Sequence, residues 1–176
     1  DAAMAGELEP LRLGRAVFRT EIAPAEPGPE GTDRVRFLAA TNPGAEPGPI
    51  ERVASGGELA RFLLALKVCL SARAQDITLI FDEIDRGVGG ATADAVGRRL
   101  KALGAATQVL VVTHSPQVAA RGAHHWQVGK RLVAGTARTE VTPLAPAARV
   151  EEIARMLAGD TITDQARAAA KALLDS

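Results

Sequence analysis

The alternation of apolar and polar residues predicts two strands near the start of the chain. Residues 15–22 (RAVFRTEI) and 34–40 (RVRFLAA) alternate with the two-residue period of a half-buried strand. Between them lies APAEPGPEGTD, whose prolines, glycines and acids are typical of an exposed turn. We therefore predict a hairpin with a long loop, followed by a second Pro- and Gly-rich loop over TNPGAEPGP.

A helix is predicted from Ser55 to about Arg73, because the spacing of apolar residues changes there from two to three or four. The residues that recur at this spacing, and that we expect on one face of the helix, are Leu59, Leu63, Leu66 and Leu70.

Two apolar runs then flank a further helical pattern. Residues 77–81 (ITLIF) and 108–113 (QVLVVT) are typical of strands buried on both faces of a parallel sheet. Residues 91–103 between them predict a helix, with Gly104 as its stop. Strand, helix and strand together predict a βαβ unit with a right-handed crossover.

The remaining patterns predict a short helix after Ser115 and two strands joined around Ala134 and Gly135. Two amphipathic helices are predicted at residues 147–157 and 162–174. The whole chain is thus predicted to belong to the α/β class.

Composition narrows the possible classes of protein. A chain of 176 residues and 18.3 kDa favours one domain. Lys and Arg number 21 and Asp and Glu number 21, which excludes a strongly basic domain that binds nucleic acid by bulk charge, although not a local basic patch. Apolar runs fall short of the roughly 18 residues that a membrane helix needs. The single cysteine, Cys69, cannot form an intrachain disulfide, which favours a reducing compartment.

Two carboxylates follow the first buried strand directly. Asp82 and Glu83 should lie at its carboxyl end, where α/β proteins place ligands. In P-loop NTPases an Asp at such a position helps to hold Mg²⁺. The adjacent Glu can point the other way, because side chains alternate along a strand, and can act as a base that activates water. Taken alone, the pair is equally consistent with a strand that enters a turn.

The octapeptide ASGGELAR (54–61) begins the first long helix. Ser55 and Glu58 have the spacing of a capping box. Gly56 and Gly57 each lower helix propensity by about 1 kcal/mol relative to Ala. In return they leave backbone N–H groups open to a bulky anion such as phosphate. Taken alone, the octapeptide is better explained as an ordinary capped helix.

His114 follows the second buried strand and should lie beside the acid pair. A neutral imidazole there can form a hydrogen bond to a phosphate or to an attacking water, although a structural role is the usual one for a lone histidine. Residues 85–90 (DRGVGG) begin with Asp85, and their glycines allow a tight turn directly after the acids.

In this order and spacing, the four elements resemble the ABC-type ATPase fold, and within it the heads of SMC-like proteins. ASGGE resembles the ABC signature and ITLIFDE the Walker B strand, while Asp85 resembles the start of the D-loop and His114 the switch histidine. Three longer stretches resemble the RecN-type family of bacterial DNA repair proteins: TNPGAEPGPIERVASGGELARFLLALK, LIFDEIDRGVGG and VVTHSPQVAARGAHHWQVGK. The closing ARVEEIARMLAGDTITDQARAAAKALL fits the same family.

The P-loop motif G-x-x-x-x-G-K-[ST] does not occur in these 176 residues. The one Gly-Lys pair, Gly129-Lys130, has His124 where the first glycine should be. The resemblance therefore implies the C-terminal lobe of a split head, with a mostly parallel sheet, flanking helices and additional antiparallel strands. It divides the chain into a coiled-coil stub (1–12), a hairpin and loop (13–50), a core (51–145) and two helices (146–176).

The resemblance also implies roles for the residues. Asp82 would support Mg²⁺, Glu83 would be the general base, and His114 would contact the γ-phosphate or the water. Asp85 would lie at the interface between two heads. The residues expected to bind the γ-phosphate of ATP held by the opposite head are Ser55, Gly56, Gly57 and Glu58.

The partners implied by the family are an N-terminal lobe with the P-loop, a second head, and DNA ends or single-stranded regions during recombinational repair of double-strand breaks. The implied location is the cytoplasm, at the nucleoid. Two alternatives stay open: a non-catalytic module that only associates heads, and a transporter ATPase subunit. The second does not explain the TNPG loop or the two closing helices. Because the P-loop is missing, we expect no ATP hydrolysis by this chain alone.

Overall fold

A computed structural model describes residues 1–29, 31–71, 77–133, 136–159 and 161–176. The elements in chain order are α1 (Ala2–Leu8), β1 (Val17–Gly28), β2 (Gly31–Ala40), β3 (Gly48–Pro49), α2 (Ile50–Val53), α3 (Gly56–Ser71), β4 (Thr78–Asp82), α4 (Gly90–Gly104), β5 (Gln108–Val112), α5 (Pro116–Ala119), β6 (Trp126–Val133), β7 (Thr136–Pro143), α6 (Pro146–Ala158) and α7 (Asp164–Leu174).

The first sheet has the strand order β1-β2-β3 and is antiparallel throughout. The predicted hairpin is confirmed, but its long loop is wrong, because β1 continues to Gly28 and β2 begins at Gly31. Pro24 and Pro27 fit into β1 since it is an edge strand, and the register shifts between Pro24 and Gly28. A proline at an edge or bulge removes no essential ladder hydrogen bond, so the composition of this segment does not prevent a strand.

The predicted βαβ unit is confirmed. β4 and β5 are parallel, in register from the pair Thr78–Gln108 to the pair Asp82–Val112, and α4 connects them. The two strands therefore end at the same level, which places the segments that follow them side by side.

Within this segment only one face of the β4–β5 sheet is buried, so burial of both faces stays a prediction for the complete protein. Leu79 and Phe81 pack into the main core with residues of α3 and α4. Ile80 and Val112, on the opposite face, are 60% and 56% exposed. The described residues thus cover one face of the β4–β5 sheet and leave an apolar surface on the other.

Helix α3 presents a different face to the core from the one that the leucine spacing predicted. Leu63 and Leu70 are exposed, although Leu59 and Leu66 do pack against the core. The fully or largely buried residues of α3 are Phe62, Leu64, Ala65 and Val68. The large Phe62 ring, 6.3 Å from that of Phe18, turns the helix toward the first sheet. The predicted helix end at Arg73 lies outside the described residues.

The first residues of the chain are part of the core. Met4 and Leu8 of α1 are buried, and Leu11 is fully buried just beyond the helix. Glu7 forms a bidentate ion pair with Arg99 of α4. This packing fixes the segment that the family resemblance assigns to a coiled-coil stub; a coil that continues beyond it stays a prediction.

The predicted strand pair and helix pair in the last third are also confirmed, as β6–β7 and α6–α7. Ala134 and Gly135, the predicted turn, lie outside the described residues. A second, smaller core joins α5, α6 and α7 through residues such as Ile153 and Ala170. Glu152 of α6 is buried and accepts hydrogen bonds from Gln127 (2.5 Å) and Arg155 (2.6 and 2.8 Å).

In the part of the chain that the structure describes, no helix is both long enough and apolar enough to cross a membrane.

Candidate active site

The ends of β4 and β5 bring the predicted acids and histidine to one edge of the sheet. Asp82, the last residue of β4, is in register with Val112, the last residue of β5. The backbone N–H of Glu83 donates to the carbonyl oxygen of Val112 at 3.0 Å, so the turn after β4 is joined to the end of β5. His114 comes two residues later and is exposed. The three side chains thus share the carboxyl edge where α/β proteins place ligands.

Glu83 has a left-handed backbone, with φ of 47°. This conformation is costly for a residue other than glycine, by about 1–3 kcal/mol, and clusters at functional sites. Since β4 ends at Asp82, the Glu83 side chain is directed by this turn and not by the strand alternation that the sequence suggested. Asp82 keeps the strand geometry and lies on the exposed face with Ile80.

Arg86 is the ion-pair partner of Glu83, with 3.6 Å between Nη1 and Oε2. Both side chains are more than half exposed, so the pair contributes little to stability. The Glu83 carboxylate is therefore accessible to water and held only loosely.

Asp85 is buried, with 1% of its surface exposed. Its predicted place at an interface between heads stays a prediction. Its Oδ2 accepts a hydrogen bond from the Thr113 hydroxyl and another from the backbone N–H of Ser115 at 3.1 Å. Thr113 and Ser115 are the two neighbours of His114. The Asp85 carboxylate consequently joins the turn after the acids to the histidine loop.

Thr113 and Ser115 contact Asp85, and neither was among the site residues predicted from the sequence, whereas His114 between them was. A small hydroxyl residue on each side of the histidine, with an acid two residues after Glu83, is the signal that could have found them. Asp85 Oδ1 is buried and has no hydrogen-bond partner among the described residues.

The start of α3 contains the predicted capping box. The backbone N–H and the hydroxyl of Ser55 both donate to Glu58 Oε2 at 2.8 Å, and the Glu58 N–H donates to the Ser55 hydroxyl at 3.4 Å. The hydrogen bonds from the Ser55 backbone and hydroxyl lower the pKa of Glu58. The box therefore keeps an ionised carboxylate in the first turn, where the helix dipole favours negative charge.

The two glycines of the signature have different surroundings. A Cβ at Gly57 would lie 2.9 Å from Val88 Cγ1 and 3.1 Å from the Gly87 oxygen, so only glycine allows this close approach. A Cβ at Gly56 would meet nothing within 4 Å. Gly57 therefore packs the signature turn against the turn after the acids, and Gly56 is the glycine that leaves backbone open to a ligand.

Arg61, one turn into α3, ties the signature to the segment before β1. Its guanidinium donates to the carbonyl oxygens of Gly57 (3.1 Å) and Leu11 (3.0 Å). Burial lowers the pKa of the Arg61 guanidinium. An open cleft of about 540 Å³ lies beside it, lined also by Arg12 and Arg15.

The described residues contain no group of three or more His, Cys, Asp or Glu side chains that could hold a metal ion. Asp82 thus offers a single exposed carboxylate to a metal. This fits a Mg²⁺ bound as in P-loop NTPases, where one acid acts with a P-loop hydroxyl and the nucleotide phosphates.

The fold defines the class of this protein. The Smc head domain of Pyrococcus yayanosii, solved with a coiled coil and joint, is similar over 86% of this chain and 28% of its own, with a TM-score of 0.66 and 20% identity. An SMC ATPase chain from work on ATP-driven dimerization and DNA-stimulated activation is similar over 91% of this chain and 94% of its own, with a TM-score of 0.59 and 19% identity. The chain therefore has the fold of an SMC head, which confirms the predicted fold class.

Sequence comparison then identifies the relatives. The DNA repair protein RecN of Rickettsia conorii is 46% identical over 168 residues, and that of Vibrio cholerae is 43% identical over 176. These matches cover 96% and 99% of this chain but only 31% and 32% of the relatives. No family model matches the chain. The predicted resemblance is thus confirmed, and the chain is a RecN-like segment that spans about a third of the length of these relatives.

Proposed function

We propose that this segment is the C-terminal lobe of a split, SMC-like ATPase head that acts in the recombinational repair of DNA double-strand breaks. The observation that carries the proposal is the meeting of Asp82, Glu83 and His114 at one sheet edge. The RecN relatives, which are about three times as long as this chain, support the role in DNA repair and leave room for the P-loop elsewhere in the polypeptide.

In this proposal each group at the edge has one task. Asp82 would hold the Mg²⁺ that neutralises charge on the ATP phosphates. Glu83, exposed in its left-handed turn, would accept a proton from the attacking water. His114 would form a hydrogen bond to the γ-phosphate or to that water, at a position maintained by Asp85 through Thr113 and Ser115.

The signature turn would serve the opposite head. Its exposed Ser55 and the open backbone at Gly56 lie at a helix start, which suits the γ-phosphate of ATP bound to the P-loop of a second copy. The Ser55 hydroxyl, which donates to Glu58 in this structure, would donate to the phosphate instead. Gly57 and Glu58 would keep that turn in shape. Each ATP would then bridge two heads, so that the free energy of nucleotide binding becomes free energy of association.

The N-terminal lobe of the same head would cover the exposed face of the β4–β5 sheet. Ile80, Leu110 and Val112 line this face and are all exposed in the segment alone. A contiguous apolar surface on a sheet marks a contact with another element. A coiled coil would lead into α1. The protein would act in the cytoplasm, where the DNA lies.

The test compares ATP turnover by three samples: this 176-residue chain, this chain together with the rest of its polypeptide, and the full chain with Asp82→Asn. We expect turnover only in the second sample. Turnover by this chain alone would contradict the split head, and no turnover by the complete protein would contradict the ATPase.

A non-catalytic association module is the second candidate, favoured by the missing P-loop. It predicts that the complete protein dimerises without hydrolysing ATP. The exposed and strained Glu83 favours the ATPase, since a purely structural turn gains nothing from this conformation.

A further inference from the structure

The β6–β7 hairpin is a two-stranded ribbon with two unlike faces. Trp126, Val128 and Leu132 project from one face and are exposed, with Val141 opposite Val128. The other face is polar, and its base is fixed to α6 by the hydrogen bond between Gln127 and Glu152. The apolar face therefore suits contact with the rest of the polypeptide, while the far part of the polar face stays open.

Two arginines lie directly opposite each other on the open polar face. Arg131 of β6 is in register with Arg138 of β7, and both are exposed. Neither forms an ion pair in the described part of the chain. Glu140, opposite Gly129, lies on the same face, two residues nearer the base of the ribbon. Like charges at opposite positions of an antiparallel pair are destabilising. The chain thus maintains an unfavourable pair that a bound anion would turn into a favourable one.

We propose that this arginine pair binds the phosphate backbone of DNA. The inference rests on the proposed function, which supplies DNA as the partner, and adds the surface that contacts it. Opposed side chains have Cβ atoms about 5 Å apart, so the two guanidinium groups can bind the same phosphate or two neighbouring phosphates. Exposed hydroxyls of Thr136 and Thr142 lie on the same face and are typical of phosphate contacts.

The chemistry of this face favours DNA over an acidic protein. Protein interfaces have a core of aromatic and large apolar side chains, and the described side chains of the polar face include none. Phosphate contacts made by arginine and threonine predict binding that is independent of DNA sequence. Of the other polar side chains on this face, Gln127 is bound to Glu152, and Glu140 has the same sign of charge as phosphate. The zero net charge of the whole chain agrees with a local contact and not with bulk attraction.

The test uses the full-length protein with the double substitution Arg131→Gln/Arg138→Gln and measures binding to a short duplex of arbitrary sequence at several salt concentrations. Each arginine that no longer binds a phosphate should make the plot of log affinity against log salt shallower by about one, hence by about two for the pair. ATP turnover without DNA should not change. The thermal midpoint should not fall, because the substitution removes a repulsion.

The matched control is Arg19→Gln/Arg34→Gln, which removes the same charge from two exposed positions of the β1–β2 hairpin. An equal loss of salt dependence in both variants, or none in the first, would overturn the inference. So would competition by polyglutamate as strong as that by DNA. If the unsubstituted protein neither hydrolyses ATP nor binds DNA, the proposed function is wrong. If it does both, and the salt dependence of DNA binding is the same in the Arg131→Gln/Arg138→Gln variant, only the inference about the arginine pair is wrong.

Discussion

The β4–β5 edge and the α6–α7 pair use charge in opposite ways. In α6–α7, Arg167 binds both Glu151 (2.9 Å) and Asp164 (3.0 Å), and Ile153 is fully buried. At the β4–β5 edge, His114 is exposed and Glu83 is held in a strained turn beside a loosely bound arginine. The charged groups of the helix pair are paired with one another, whereas the charged groups at the sheet edge are exposed to solvent.

The difference shows where this chain depends on other surfaces. A region that satisfies its own charges and apolar area gains stability from local contacts alone. A region with exposed apolar side chains and a strained acid gains when a ligand or another lobe covers it. Substitutions at the sheet edge should therefore affect activity and assembly, and substitutions in the α6–α7 pair should affect stability alone.

The largest effect is expected for Glu83→Gln in the full-length protein. The amide cannot accept the proton of the attacking water, so ATP turnover should fall by about 10²–10⁴-fold while ATP binding persists. Turnover is measured with saturating ATP, and binding with a fluorescent analogue. Arg86→Gln, which removes only the exposed partner of Glu83, is the control and should stay near the unsubstituted rate. A near-normal rate for Glu83→Gln would remove this residue from the role of base.

Ile80→Asp should have the second largest effect, and it tests whether the open sheet face is covered in the complete protein. A carboxylate forced into a covered apolar contact should lower the free energy of unfolding by about 3 kcal/mol. Ile22→Asp on β1, at a site 66% exposed, is the matched control and should change it by less than about 0.5 kcal/mol. Chemical denaturation measures both. Equal effects would mean that the face is open in the complete protein too.

Substitutions of the two signature glycines should have different effects: one on stability and the other on ATP-dependent dimerisation. Gly57→Ala places a Cβ 2.9 Å from Val88 Cγ1 and should destabilise the protein by about 1–3 kcal/mol. Gly56→Ala meets no atom and should leave the thermal midpoint unchanged or slightly raised, but should weaken ATP-dependent dimerisation. Thermal unfolding and light scattering with ATP distinguish the two. A loss of stability for Gly56→Ala would contradict the assignment of the open glycine.

Glu58→Gln should have the smallest effect, about 1 kcal/mol of stability at neutral pH, as for other helix caps. Because the folded pKa of Glu58 lies below its usual 4.5, the ionised carboxylate stabilises the fold above that pH. The contribution is lost as the pH falls through the folded pKa. The difference in thermal midpoint between Glu58→Gln and the unsubstituted protein should therefore shrink between pH 6 and pH 3. A constant difference would show that ionisation does not matter.

Several wrong predictions have a common physical origin. The proline-rich segment after Ile22 has the composition of a loop, yet it extends β1 because an edge strand tolerates prolines. The leucine spacing on α3 indicated a buried stripe, but only Leu59 and Leu66 pack against the core, while Leu63 and Leu70 are exposed and Phe62 faces Phe18 of the first sheet. In each case a neighbour distant in the chain decided which local preference prevailed.

Local and short-range features of this protein follow from the sequence by itself. The capping box at Ser55 and Glu58, the crossover between two parallel strands and the acids at a strand end depend on residues close together in the chain. Only the tertiary structure decided that Asp85 is buried against Thr113 and Ser115 and that Gly57 but not Gly56 lies against the Gly87 turn. These depend on packing and register between distant segments, which spacing along one segment does not contain.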